Sequence, residues 1–207
     1  MSFRISRANA AGNDLRPPPK FMTSFDLTNQ FLIAMPAMGD PNFSKTVTYV
    51  CAHNNEGAMG IVINRPLEIE LGEVLAQMSI AGGNTTIDVQ NVYLGGPVHR
   101  DRGFIIHCPA NAWDSTIQVT DELAVSTSRD ILEAIGTGTG PEQNLVALGY
   151  AGWGAGQLEQ EMSQNAWLSG PASMEVIFTI PPAQRWQQAV AEIGVNLTAL
   201  SSEMGHA

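Results

Sequence analysis

A chain of 207 residues with 44% hydrophobic composition can bury roughly 70% of its unfolded surface, and its supply of Leu, Ile, Val and Phe excludes wholesale disorder. Its net charge of −10 is uneven: Arg4, Arg7, Arg16 and Lys20 against Asp14 give the first twenty residues +3, and six basic against nineteen acidic residues give the rest −13. An acidic body repels nucleic-acid phosphates, so direct nucleic-acid binding is not expected of it.

No apolar run reaches the ~20 residues that span a bilayer, and no apolar core of a secretory leader is present. A cytoplasmic location, no membrane contact and free thiols at Cys51 and Cys108 are therefore expected. Residues 1–26 are predicted to be a disordered extension, rich in Arg, Ser, Ala and Asn with a Pro triplet, ahead of a single domain over 27–207. An organellar transit segment or a start at Met22 would read the same way.

Phe31–Met35 predicts a buried strand, and Met38-Gly-Asp-Pro-Asn42 a turn. Thr46–Ala52 and Ala58–Asn64 predict two strands joined at Asn54–Gly57, the second ended by Pro66, which cannot donate to a ladder. Leu71, Val74, Leu75 and Met78 share one helical face, stopped by Ala81–Asn84. Val92–Leu94 and Gly103–Cys108 predict strands, and Ser115–Val119 with Leu123–Ser126 a hairpin. Thr127 and Asp130 match a capping box for a helix ending at Gly136. Leu145–Tyr150 predicts a strand, Gln157–Leu168 a helix, Met174–Ile180 a strand and Ala183–Ile193 a last helix, with Trp186, Ala189, Val190 and Ile193 on one side. No internal repeat is evident. This order predicts an α+β fold on a mixed, largely antiparallel sheet.

Chemistry concentrates in a few places. Cys51 and His53 lie two apart on a predicted strand, so they share a face, and an imidazolium there would lower the thiol pKa. Packing of a small apolar thiol competes with that reading. A zinc site would need Cys51, His53, His107 and Cys108 together; His107 and Cys108 are consecutive in a strand and face opposite ways, so no metal is expected. Asn64-Arg65-Pro66 ends an apolar strand, where Arg65 serves either a structural carboxylate or an anionic ligand. Gly95-Gly96-Pro97 marks a tight turn or close backbone approach and is followed by Arg100, Asp101 and Arg102. Ser128 and Arg129 sit at a predicted helix start, where free N–H groups suit an anion. Trp153 offers a stacking surface or core packing. No G-x-S-x-G elbow, phosphate-binding loop, H-E-x-x-H or dinucleotide fingerprint occurs, so no cofactor is expected and an enzyme is not favoured.

The segments FLIAMPAMGDPNFSKTVTYVCAHNNEGAMGIVINRPL, YLGGPV with DRGFIIH, STSRDILEAIGTG, LVALGYAGWGAGQLEQEMSQNAWL and RWQQAVAEIGV resemble the bacterial AlgH/YqgE family in one order, from about Leu27 onward. Asn196 departs from the Asp usual after IGV. The resemblance implies a sheet folded into a pseudo-barrel with flanking helices, and a family named for a proposed role in regulating alginate biosynthesis, without a settled activity. For an acidic body, regulation through a protein or small-ligand partner fits better than direct DNA contact. The leading expectation is a regulatory or ligand-binding protein with a small anionic ligand held by some of Asn64, Arg65, Gly95, Gly96, Arg102, Ser128 and Arg129. The alternative is a thiol-dependent enzyme or redox sensor using Cys51 with His53. Homo-oligomerisation is left open.

Overall fold

A computed structural model describes residues 26–80 and 85–195. The predicted N-terminal extension, the Ala81–Asn84 stop, Asn196 and the loose tail lie outside the described residues. The elements run β1 (Gln30–Ala34), β2 (Val47–Asn54), β3 (Gly57–Val62), β4 (Pro66–Glu70), α1 (Leu71–Gln77), α2 (Thr85–Asp88), β5 (Asn91–Leu94), β6 (Val98–Cys108), β7 (Thr116–Gln118), β8 (Ala124–Ser126), α3 (Arg129–Thr137), β9 (Gln143–Gly154), α4 (Gln157–Ser163), β10 (Trp167–Pro171), a π-helical turn (Glu175–Thr179) and α5 (Pro182–Glu192).

The strands form one curled sheet in the order β10-β1-β2-β3-β9-β6-β8-β7, with β5 and β4 branching from β9. Every pair is antiparallel except β5 with β9. The result is an α+β half-barrel with flanking helices, as expected. β9 is its hub. Residues 143–148 and 150 pair with β6, residues 146–148 with β5, and residues 151–154 with β3. The change of partners follows Gly149, which has φ of 75°. A Cβ there would lie 2.6 Å from the Gly96 carbonyl oxygen, and one on Gly95 would lie 2.2 Å from that of Gly149. Only glycine lets the β5–β6 link cross β9 so closely.

Alternation along β6 and β9 feeds two cores. Phe104, Ile106, Leu145 and Ala147 join Phe31, Tyr49 and Ile61 under the π-helical turn and α5. Ile105 and Val146 join Leu71, Leu75, Ile131 and Ile135 from α1 and α3. A third core sets Trp153, Trp167 and Leu158 of α4 beside Leu27 and Val50. Strands buried on both faces read as unbroken apolar runs, hence FII and LVAL.

Four expectations need correction. Met174–Ile180 is not a strand: Val176 and Ile177 are both fully buried in the same core, and a helical turn brings two consecutive side chains to one side where a strand would split them. The helix predicted to Leu168 stops at Ser163, because Asn165 adopts φ of 56° and Trp167 opens β10. Pro66 begins β4 instead of only ending β3, a position that needs no donor. Ser128 is the N-cap residue of α3, and Gly138, at φ of 76°, closes it, while Gly136 is buried within the helix.

Two polar clusters are built into the interior. Glu161 Oε2 accepts from the indole N–H groups of both Trp153 and Trp167 at 2.9 Å, and Oε1 accepts from Gln157 Nε2 at 3.0 Å. Phe43 packs on both rings. This explains GYAGWGAGQLEQEMSQNAWL as structure: the motif folds back so that one carboxylate ties β9, α4 and β10 together. His107 and Ser126 are fully buried. His107 Nδ1 donates to the Pro109 carbonyl at 2.9 Å, so Nε2 accepts from Ser126 Oγ at 2.9 Å, and Ser126 in turn accepts from Thr116 Oγ1 at 2.8 Å. Burial holds His107 below its ordinary pKa of 6.5, and the Pro109 carbonyl opposes the shift.

Glu161→Ala leaves two nearly buried indole N–H groups without a partner. It is expected to cost about 3 kcal/mol in urea unfolding followed by Trp emission, with Glu161→Gln costing clearly less. For His107, the unfolded chain binds a proton near pH 6.5 while the folded one resists it, so its contribution is full above that pH and is lost on acidification. The unfolding free energy is expected to fall below about pH 6.5, and His107→Gln to remove up to about 1.4 kcal/mol per pH unit of that slope.

Candidate functional site

Cys51 occupies a β-bulge. Val50 pairs with Gly60 and Ala52 with Met59, which leaves Cys51 without a cross-strand partner. The extra residue reverses the alternation after it. Cys51 therefore packs in the core of Tyr49 and Ile61 at 2% exposure, while His53 turns to the other face. There His53 Nδ1 accepts from the Leu27 N–H at 3.0 Å and Nε2 donates to Glu159 Oε1 at 2.9 Å. The two side chains expected on one face are not brought together. Burial pushes the Cys51 thiol up. Half-buried Cys108 is shifted the same way by burial, with Glu122 and Glu142 adding to it.

Asn64 and Arg65 both hold the 41–47 loop. Asn64 Oδ1 accepts from the Val47 N–H at 2.9 Å and Nδ2 donates to the Lys45 carbonyl at 2.8 Å. Arg65 Nη2 donates to the carbonyls of Pro41 and Ser44 at 2.9 and 3.0 Å. Burial lowers its guanidinium pKa and Asp40 opposes the shift. Gly95 and Gly96 serve the crossing over β9: a Cβ on Gly96, at φ of 156°, would lie 2.1 Å from the Tyr150 carbonyl carbon. Arg102 is exposed on β6. None of these five residues lines either of the two cavities described next.

The first cavity, about 400 Å³, lies between α1, β6 and the start of α3. It contains the expected Ser128 and Arg129, together with Arg100 and Asp101, over a floor of Val74, Met78, Leu132 and Leu148. A wide bulge in β6 supplies Arg100: Val98 pairs with Tyr150 and Gly103 with Leu148, so His99–Arg102 leave the ladder, with His99 at φ of 49°. Arg129 Nε donates to Glu133 Oε1 at 2.6 Å on the exposed surface. Ser128 Oγ accepts from the Ser115 N–H at 3.1 Å, and Asp130 accepts from the Asp114 and Ile131 N–H groups at 3.0 and 2.9 Å.

The second cavity, about 640 Å³, lies between β5, the end of α3, the π-helical turn and α5. Its wall contains Arg185, only 3% exposed. Nε donates to the Ile180 carbonyl at 2.8 Å and Nη1 to the Ile63 carbonyl, and the guanidinium lies 5.0 Å from the centre of the Tyr93 ring. Burial lowers the Arg185 pKa and Tyr93 opposes the shift. Sequence reasoning missed this residue. Its signal was a cation one turn before Ala189, on the apolar side of α5.

Among the described residues no cluster of three His, Cys, Asp or Glu could hold a metal ion. No helix among them is long and apolar enough to cross a membrane.

The AlgH-like family profile matches residues 31–198. A UPF0301 protein of Thioalkalivibrio sulfidiphilus is 54% identical over 184 residues, 89% of this chain and 98% of the relative. One from Nitrosococcus oceani is 53% identical over 86% of this chain and 96% of its own length. The solution structure of the AlgH protein from Pseudomonas aeruginosa matches with a TM-score of 0.74 at 50% identity, covering 89% of this chain and 98% of that one. A Corynebacterium diphtheriae crystal structure, at 19% identity over 80% of this chain and 86% of its own, shares the fold with a TM-score of 0.65. The Glu161–tryptophan tie, the glycine crossing over β9 and the Arg65 loop clamp lie within the matched span, and the chain belongs to the AlgH-like family.

Proposed function

We propose that this protein is a small-ligand-binding protein of regulatory type, and that the cavity at the start of α3 takes an anionic molecule with an apolar portion. One observation carries the reading: Arg100, Arg129 and Ser128 line, with the apolar Val74, Met78, Leu132 and Leu148, a space of about 400 Å³. That size and mixture suit a small ligand oriented by a few polar groups. Arg129 holds its Glu133 partner in the open, where an exposed ion pair is worth little and exchanges readily for a ligand oxyanion. Asp101 on the same wall favours ligands that also carry a donor. Regulation acts through this ligand or a protein partner, since the acidic body disfavours direct contact with DNA. The thiol chemistry of Cys51 is less favoured, because its sulfur is enclosed and biased to the neutral form.

A thermal-shift screen of anionic metabolites and nucleotides tests the reading. A true ligand at a hundredfold excess over its Kd stabilises the fold by about 2.7 kcal/mol, and Arg129→Ala together with Arg100→Ala should weaken it by about tenfold or more. An unchanged affinity in the double variant would remove this cavity as the site. Alkylation separates the two classes of function: with iodoacetamide at neutral pH the folded protein is expected to react slowly at Cys108 and to label Cys51 only on unfolding. Rapid labelling of folded Cys51 would restore the thiol reading.

A further inference from the structure

Arg185 stands apart from the other charged side chains of the fold. The basic residues of the described body are Lys45, Arg65, Arg100, Arg102, Arg129 and Arg185, and Arg185 alone among them is buried. Among the described residues it forms no ion pair with a carboxylate. Among the described residues its charge is met by the carbonyl oxygens of Ile180 and Ile63 and by the ring and hydroxyl of Tyr93. The carbonyl bonds use Nε and Nη1, which leaves Nη2 without a backbone partner among the described residues. A buried cation without a countercharge is costly unless something completes its environment. Here Arg185 forms part of a cavity wall, so a completing group can come from outside the chain.

We propose that the Arg185 cavity is a second ligand site, distinct from that at α3, and that it binds the carboxylate of a small amphipathic monocarboxylic acid. The carboxylate sits against Nη2 of Arg185, in the fork geometry a guanidinium offers to a planar oxyanion. The body of the acid lies against Ile135, Ile177 and Phe178, which line the same space, and the amides of Gln90 and Asn144 stand at its polar side. A single negative charge is specified by the lining. Arg185 is the only cation among the described residues that line it, and Glu142 on the wall repels a dianion such as a phosphate monoester. Arg185 does hold two backbone carbonyls as a structural clamp, but that role uses Nε and Nη1 and needs no cavity beside it.

The test is a titration of the full chain with sodium benzoate, benzamide and inorganic phosphate, followed by proton–nitrogen correlation NMR that includes the arginine Nε–H signals. Benzoate is expected to bind saturably at millimolar concentration and to shift Arg185 Nε–H, Tyr93, Gln90 and Asn144. Benzamide, neutral and of the same shape, should bind at least about tenfold more weakly, and phosphate more weakly than benzoate. Arg185→Met also cuts the clamp and risks unfolding. The variant of choice is Val89→Trp, at a side chain 62% exposed on the cavity mouth, expected to cut benzoate affinity about tenfold with the melting temperature unchanged. Equal binding of benzoate and benzamide, tighter binding of phosphate, shifts at Arg129 and Ser128 instead, unaltered affinity in Val89→Trp, or no saturable binding would each overturn the proposal. The first cavity stands or falls separately, on the Arg100 and Arg129 variants.

Discussion

β9 serves two halves of one sheet because its backbone turns at Gly149 while another stretch of backbone lies directly on it. The Gly95–Gly96 link passes so close to Gly149 and Tyr150 that no Cβ fits at any of the three glycines. Much else is anchored to that crossing. The Val62 N–H donates to the Gly95 carbonyl, the Gly95 N–H to that of Leu148, and the Leu94 N–H to that of Arg65, each at 2.8 Å. The ends of β3, β5 and the first half of β9 are thereby fixed relative to one another. The direction in which β6 departs follows, and with it the bulge that carries Arg100. A half-barrel closed this way sets both cavities along its flanks, between sheet and helices.

The interior polar groups divide into those the chain satisfies itself and those it does not. Glu161 and His107 belong to the first kind: one carboxylate is shared by two indoles, and one imidazole is held between a carbonyl and a hydroxyl. Such groups specify a unique packing and leave nothing for a ligand. Thr48 Oγ1 and Trp113 Nε1 are sealed without a partner among the described residues, and neither lines a cavity described here. Arg185 is the intermediate case, partly bonded and partly facing an opening. That distinction separates residues that hold this fold from residues available to a second molecule.

The same distinction reorganises the residues that draw the eye in the sequence. Arg65 and Asn64 form a strand-end pair in an acidic chain, yet their donors and acceptors go to the 41–47 loop. Ser128 and Arg129, at a helix start, do face an opening. An arginine in a short motif carries no mark of whether a backbone carbonyl will reach it first. Which of the two happens depends on loops distant in sequence.

Periodicity and turn chemistry carried most of the fold. Apolar and β-branched runs bounded by turn residues located eight of the ten strands, all but β4 and β10, and the order of elements pointed to a mixed, largely antiparallel sheet, because local backbone preference and burial act over a few residues. Two kinds of fact needed the tertiary structure. One is where a single inserted residue changes a face: the bulge at Cys51 parts it from His53, and nothing local announces it, since the bulge is set by the partner strand. The other is what a buried charge meets. Arg185 lies 122 residues from Ile63 and far from Tyr93 in the chain, so its environment exists only once α5 has packed on the curled sheet. Sequence determined the elements and the family; long-range contact alone decided which side chains are spent on the fold and which are left to bind.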